Sequence, residues 1–111
     1  VLPYGPFMDE QNCRICFVGH THTPAIMSTD GAYQLSAGQP FCVHEESLFF
    51  INSGSVGQPR DDDPRAAFGI FDTESKMFEL VRVTYPVEQA ARRVREAGLP
   101  RFLADRLALG R

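Results

Sequence analysis

The chain has little of what would place it in a membrane, on a nucleic acid or among disulfide-bonded secreted proteins. No apolar run in it approaches the roughly 20 residues needed to cross a bilayer, and these residues contain no basic-then-apolar leader. The three cysteines are an odd number, which argues against a disulfide framework. A net charge of −3 argues against a nucleic-acid-binding protein, because such proteins carry an excess of basic residues. We therefore expect a soluble, cytoplasmic protein.

What the chain does have is the composition of one small globular domain. Its 111 residues are 43% hydrophobic and 23% charged, which are ordinary values for a folded domain. A chain of this length buries roughly two-thirds of the surface that it exposes when unfolded. Enough core is therefore available for a defined fold.

The order of predicted elements indicates an α+β fold. Apolar runs and alternation predict strands over residues 14–18, 25–28, 32–36, 48–52, 66–72 and 77–85, followed by two helices that begin near Pro86 and Pro100. The sequence of residues 1–13 predicts an irregular arm, and residues 37–47 and 53–65 are predicted to be loops. Thr29–Gly31 is a turn signal between two predicted strands and predicts a hairpin. Strands followed by helices are typical of a mostly antiparallel sheet with helices on one face.

Two predicted strands carry further information. Residues 48–52 are continuously apolar, so both faces of that strand should be covered. In the last strand, Val81, Val83 and Tyr85 share one face, and Arg82 lies on the other.

The most informative segment runs from Phe17 to Pro24 and reads Phe-Val-Gly-His-Thr-His-Thr-Pro. Side chains two residues apart on extended backbone point to the same side, so His20 and His22 should face one point in space. Neutral imidazole is a common ligand for zinc, iron and similar ions. Gly19 leaves room for unusual backbone angles before the first histidine, and Pro24 should end the extended segment.

A bare His-x-His pair often arises by chance, so its context decides its meaning. The cupin pattern places a glutamate three or four residues after the pair, where this chain has Ile26 and Met27, and that reading fails.

Elsewhere in the chain, His44 is more simply a solvated loop histidine than a third ligand. The row from Asp61 to Asp63 is more simply a solvated turn before a proline than a cation site.

A second segment points in the same direction as the histidines. Residues 49–60 read Phe-Phe-Ile-Asn-Ser-Gly-Ser-Val-Gly-Gln-Pro-Arg. With Gly19–His22, they resemble the Gly-His-x-His motif and the following strand and Asn-Pro-Gly-Ser-Val-Gly-x-Pro-Arg loop of the calcineurin-like metallophosphoesterase family, in its small bacterial phosphodiesterase and phosphatase members. Ser53 stands where that loop has proline. The resemblance runs from about residue 14 to residue 85, which is most of the chain.

The resemblance implies a fold of which this chain is one part. Family members form a four-layer α/β/β/α sandwich, and residues 1–111 correspond to its C-terminal half, with a mostly antiparallel or mixed sheet and two C-terminal helices. We expect the N-terminal half, absent from this sequence, to supply the second sheet and the remaining ligands, either in the same domain or from a partner chain.

The resemblance also implies a dinuclear metal centre. The family builds it from Asp-x-His, Gly-Asp-x-x-Asp, Gly-Asn-His, a further lone histidine and Gly-His-x-His, of which only the last is present here. His20 would bind one divalent ion and His22 the other, with manganese foremost and iron or zinc as alternatives. Asn52, Gly54, Ser55 and Arg60 would bind substrate. No catalytic residue is assigned within these residues.

The implied function is metal-dependent hydrolysis of a phosphate ester, in a small molecule or a phosphoprotein. We expect these 111 residues to be inactive alone, because they lack the other ligands. A non-catalytic binding module on a degenerate phosphoesterase scaffold is the alternative. Within the loop, Gly54 could simply turn the chain, and Arg60 could pair either with a phosphate or with Asp61–Asp63.

Overall fold

A computed structural model describes residues 5–44 and 46–111. Seven strands and three helices follow the order of the sequence analysis with two additions. In chain order they are α1 (Gly5–Glu10), β1 (Ile15–Val18), β2 (Pro24–Ser28), β3 (Gly31–Tyr33), β4 (Phe41–Cys42), β5 (Phe49–Ser53), β6 (Ala66–Phe71), β7 (Met77–Val83), α2 (Val87–Glu96), α3 (Arg101–Asp105) and a closing 3₁₀ turn (Arg106–Leu109). No helix of these residues has the length and apolar character that crossing a membrane requires.

The strands form two sheets, which confirms a mixed α+β fold. The first sheet has the order β1-β5-β2-β3 and the second has the order β4-β7-β6. β1 runs parallel to β5, whereas the other neighbouring strands are antiparallel. The predicted hairpin around Thr29–Gly31 is the β2–β3 pair.

The main core lies between the two sheets. Ile26, Phe49 and Ile51 from the first sheet meet Phe78 and Leu80 from the second, and each of these side chains is at most 1% exposed. Burial of a large apolar side chain contributes about 1.5–3 kcal/mol, so these five side chains contribute substantially to the stability of the sandwich.

The opposite face of β5 is covered as well. Phe50 and Leu48 pack against Met8 of α1, with Cys16 at the margin of the cluster. The continuous apolar run of β5 is therefore buried on both faces, as predicted. The prediction of an irregular N-terminal arm was wrong for residues 5–10, because Met8 anchors a helical turn on the sheet; residues 1–4 lie outside the described part.

Two other predictions need correction. The loop predicted over residues 37–47 contains β4, which pairs with β7; a strand of two residues is too short to show a periodicity. Glu45 of that loop lies outside the described residues. The helices were expected to cover a face of the sheet, but their buried residues Ala91, Ala104 and Leu107 form a cluster of their own.

Gly69 on β6 provides a test of how closely this strand packs against Phe78 of its neighbour β7. A Cβ added at this glycine would lie 2.3 Å from the ring of Phe78 and 2.8 Å from Ser53 Oγ. We expect Gly69→Ala to lower the free energy of unfolding by about 1–3 kcal/mol, as overpacking does. Urea denaturation measures the change.

Gly57→Ala is the matched control, because a Cβ there meets no atom within 4 Å. It should stay within about 0.5 kcal/mol of the wild type. Equal stabilities of the two variants would contradict the contact between Gly69 and Phe78.

Candidate metal centre

The histidine motif lies in a loop that crosses the carboxyl end of β5. β1 ends at Val18 opposite Asn52, and β2 begins at Pro24 opposite Ser53, so β5 lies between the two strands that the loop joins. We call residues 19–23 the histidine arch. The loop that follows β5, residues 54–65, leaves from the same edge of the sheet, which brings the two predicted site segments together.

The backbone of the arch is not extended. His20 has φ 74° and His22 has φ 61°, both in the left-handed region, whereas Gly19 has no positive φ. The expectation that extended backbone aligns the two imidazoles was therefore wrong. Left-handed backbone costs about 1–2 kcal/mol for each residue with a side chain, so surrounding contacts must hold the arch in place. Pro24 begins β2 rather than ending a strand, a position that proline tolerates.

His22 is held by the loop that follows β5. Its Nδ1 lies 2.9 Å from the carbonyl oxygen of Gln58. A carbonyl can only accept a hydrogen bond, so Nδ1 carries the hydrogen, and in the neutral ring Nε2 keeps its lone pair. Metal-binding histidines are held in the same way, with one ring nitrogen donating to a carbonyl and the other free to bind the ion.

Two further hydrogen bonds, one of them between backbone groups, tie the two loops together. The amide of Arg60 donates to the carbonyl of His22 at 3.2 Å, and Thr23 Oγ1 lies 3.5 Å from the carbonyl oxygen of Arg60. The half-buried His22 therefore has both its ring and its carbonyl bonded to residues 58–60. His20 is exposed.

Asn52 joins the arch to the end of β5. Its side chain is buried, at 5% exposed. Its Nδ2 donates to the carbonyl of Gly19 and to Thr21 Oγ1, both at 2.9 Å, and its Oδ1 accepts from the amide of Gly54 at 2.9 Å.

Two other predicted substrate-binding residues shape the loop. Gly54 has φ 82°, and a Cβ there would lie 2.9 Å from Pro24 Cγ, so this position requires glycine. Ser55 Oγ accepts a hydrogen bond from the amide of Gln58 at 2.9 Å, which closes a tight turn. These contacts explain the turn. Substrate binding by Asn52, Gly54, Ser55 and Arg60 stays a prediction.

Arg60 is exposed, and its guanidinium bonds within its own loop. Its Nη2 donates to Gln58 Oε1 at 2.9 Å. The neighbouring acids pair elsewhere: Asp61 with Arg82, Asp62 with Arg111 at 2.9 Å, and Asp63 with Arg65 at 2.7 Å. The predicted solvated turn is therefore a set of ion pairs.

The ion pair with Asp61 explains why the side chain of Arg82 on β7 is buried. The side chain of Arg82 is only 6% exposed, on the face that also carries Phe78 and Leu80. The predicted alternation is correct, but Val83 on the opposite face is 44% exposed, so the face with the arginine is the inner one. A second bond, from Arg82 Nη1 to the carbonyl of Arg65 at 3.2 Å, further satisfies the buried guanidinium.

The donor set suits a divalent metal ion without completing a site. Among the described residues no group of three or more histidine, cysteine, aspartate or glutamate side chains could hold an ion. His44 lies 3.4 Å from Asp30 and packs edge-on against Phe49, apart from the arch. His22, with Nε2 free, fits a metal ligand.

Sequence reasoning missed two residues of this centre. The role of Gln58 is carried by its backbone carbonyl, which every residue has, so its identity gave no signal. Thr21 stands between the histidines, and only the position of Asn52 shows that its hydroxyl is a hydrogen-bond acceptor.

Comparison with known proteins settles the family. A model of the calcineurin-like phosphoesterase superfamily domain matches residues 6–76, more than half of the chain and all of the histidine arch. The chain belongs to the calcineurin-like phosphoesterase superfamily.

Two relatives show how much of a longer protein the chain spans. An uncharacterized protein of Methanocaldococcus jannaschii is 40% identical over 97 residues, which cover 87% of this chain and 40% of that protein. The crystal structure of a metallophosphoesterase from Sphaerobacter thermophilus superposes with a TM-score of 0.83 at 38% identity, covering 89% of this chain and 43% of that one. The chain thus spans about two-fifths of the length of each.

The ion pairs of residues 61–65 predict a dependence of stability on pH. Hydrogen bonds from the Arg65 side chain are the main cause that lowers the pKa of Asp63 from 3.8 to about 2. Because the folded pKa is depressed, this contribution is complete above the unfolded pKa and is lost as the pH falls from 3.8 towards 2. We expect Asp63→Asn to lose less stability than the wild type over that interval, measured by thermal unfolding.

Glu79→Gln is the control, because it removes an exposed carboxylate from β7, away from this loop. It should keep the wild-type slope. A slope for Asp63→Asn as steep as that of the wild type would show that the pair with Arg65 does not govern this carboxyl group.

Proposed function

We propose that this protein takes part in metal-dependent hydrolysis of phosphate esters, with His20 and His22 as metal ligands. The observation that carries the proposal is the hydrogen bond from His22 Nδ1 to the Gln58 carbonyl. It leaves Nε2 of the neutral ring free at the histidine motif of a phosphoesterase family. A histidine kept only for packing would not need one nitrogen committed and the other open.

The chemistry of the reaction explains why such ligands are needed. Divalent ions, when bound, provide a strong nucleophile near neutral pH and offset charge on the phosphoryl oxygens. Imidazole ligands suit manganese, iron or zinc, and we propose manganese first with two ions in the complete centre. The chain contributes by orienting His22 through Gln58 and by holding the arch against residues 58–60.

The remaining ligands must come from residues other than those described. Even a single catalytic zinc usually takes three protein ligands, and the described residues assemble no such group. We propose that the N-terminal half of the same domain, or a partner chain, supplies them. The relatives support this, since each is more than twice as long as the matched region. The proposed substrate is a phosphorylated small molecule or a phosphoprotein.

Hydrolysis of bis-p-nitrophenyl phosphate and p-nitrophenyl phosphate tests the activity in the complete protein that carries the remaining ligands, with Mn²⁺ added and after chelation. Asparagine can keep the donor to the Gln58 carbonyl but lacks Nε2, so His22→Asn should preserve the loop and remove the ligand. We expect its kcat/KM to fall by more than the 10- to 100-fold that changes outside the ligand shell typically cause. Chelation should abolish wild-type turnover.

His44→Asn is the matched control, because it makes the same change at a histidine apart from the arch, and it should turn over as the wild type does. Activity that is indifferent to chelation would overturn the metal-dependent mechanism. Absence of turnover in a protein that carries a complete set of ligands would instead favour the alternative, a non-catalytic binding module on this scaffold.

Arg60 is proposed to bind the phosphate of the substrate. Its guanidinium is exposed, and its partner among the neighbouring side chains is the neutral Gln58 rather than an acid. A planar guanidinium can bind two phosphate oxygens at once. We expect Arg60→Ala to raise KM about tenfold, corresponding to about 1.4 kcal/mol of lost binding, measured by steady-state kinetics.

Arg92→Ala on α2 is the control for loss of an exposed arginine, and its KM should match that of the wild type. If KM and kcat are both unchanged in Arg60→Ala, the arginine serves only its own loop through Gln58.

A further inference from the structure

Asn52 was predicted to bind substrate, and its contacts assign it a different task. We propose that Asn52 is a positioning residue that holds the histidine arch in its ligand-presenting shape and does not contact substrate. The inference rests on the proposed metal-dependent function, which it deepens by naming the residue on which the ligand geometry depends.

The first argument is a count of hydrogen-bonding groups. An asparagine side chain has two N–H donors, and both of them are used, one by the Gly19 carbonyl and one by Thr21 Oγ1. Phosphate oxygens are acceptors and would need one of those hydrogens. The side chain is also only 5% exposed. Binding substrate would therefore break a bond that supports the arch.

The second argument is the location of those bonds. Gly19 precedes His20, and Thr21 stands between the histidines. The side-chain amide of Asn52 therefore donates hydrogen bonds to the arch on both sides of His20. Both histidines have positive φ, a conformation that persists only where neighbouring contacts impose it. Asn52 supplies two of those contacts from the rigid end of β5.

The third argument is that the same amide reaches the second loop. Its Oδ1 accepts from the amide of Gly54, where the chain turns away from β5. That loop continues to Gln58, whose carbonyl fixes the ring of His22. One side chain thus ties the arch to the start of the segment that orients His22.

These contacts require asparagine in particular. Aspartate has nearly the same shape but no N–H, so it would place an acceptor against the Gly19 carbonyl and lose that bond. The Gly54 amide would still have its acceptor. Asn52→Asp therefore loses the bond to the Gly19 carbonyl and leaves the turn after β5 in place, while the Thr21 hydroxyl can still donate to the carboxylate.

The experiment compares Asn52→Asp with Asn12→Asp, the same change at an exposed asparagine before β1, at the opposite end of that strand. Both variants are made in the complete protein that carries the remaining ligands, and three readouts are needed: Mn²⁺ affinity by calorimetry, kinetics with bis-p-nitrophenyl phosphate, and the His22 tautomer in the metal-free protein by long-range ¹H–¹⁵N NMR. We expect Asn52→Asp to bind Mn²⁺ about 10- to 100-fold more weakly, as outer-shell changes do. Its His22 should no longer hold one tautomer, and Asn12→Asp should match the wild type.

The readouts separate the possible outcomes. A higher KM with unchanged Mn²⁺ affinity and tautomer would overturn the proposal and restore the substrate-binding role. If the wild type neither binds Mn²⁺ nor hydrolyses the ester, the proposed function fails, while the tautomer of His22 still decides whether Asn52 positions the ring.

A milder variant covers the case in which Asn52→Asp does not fold. Thr21→Val keeps the shape of the side chain and removes only one acceptor of the amide. It should shift Mn²⁺ affinity and the His22 tautomer in the same direction by a smaller amount. An unchanged tautomer in a folded Thr21→Val protein would count against the proposal.

Discussion

The candidate site depends on one pairing, the parallel register of β1 with β5. Parallel strands end at the same edge of a sheet, so the segments that follow them must leave side by side. The arch follows β1, and the loop that carries Gln58 follows β5. An antiparallel pairing of the same two strands would place these segments at opposite edges, and His22 would lose the carbonyl that orients it.

The conformation of the histidine arch depends on a balance between the free-energy cost of left-handed backbone and the stabilisation from hydrogen bonds. Two residues in the left-handed region cost about 2–4 kcal/mol together. The two bonds from Asn52 to the arch, the ring bond of His22 and the bond from the Arg60 amide to the His22 carbonyl each contribute about 0.5–1.5 kcal/mol. The two sums are of similar size, so the arch keeps its conformation only while nearly all of these bonds are made.

Much of the fold followed from local pattern, and the exceptions have physical causes. The apolar run of β5 predicted a buried strand, and the turn signal at Thr29–Gly31 predicted a hairpin. Nothing local marked β4, which exists because β7 offers it an edge. Arg82 was placed on the right strand face, but a charge inside the core could be foreseen only with its partner Asp61 in view.

The candidate site shows the same distinction between features that the local sequence predicts and features that distant contacts impose. Residue types and spacing were enough to single out His20, His22 and the loop after β5, because metal chemistry needs particular side chains. The left-handed backbone of the arch was not foreseeable, since it is imposed by bonds from Asn52 and Gln58 that are distant in sequence. A role carried by a backbone carbonyl leaves no mark in the sequence at all.

The buried pair of Arg82 and Asp61 has a consequence for how this sequence can diverge. Removing one member of a buried ion pair leaves an unpaired charge inside the protein and typically costs 3–5 kcal/mol, whereas replacing both by apolar residues can be neutral. A substitution at either position alone is therefore strongly disfavoured, because it leaves the other charge without its partner. Among relatives, an arginine here should be inherited together with its aspartate, and the two positions should covary as a unit.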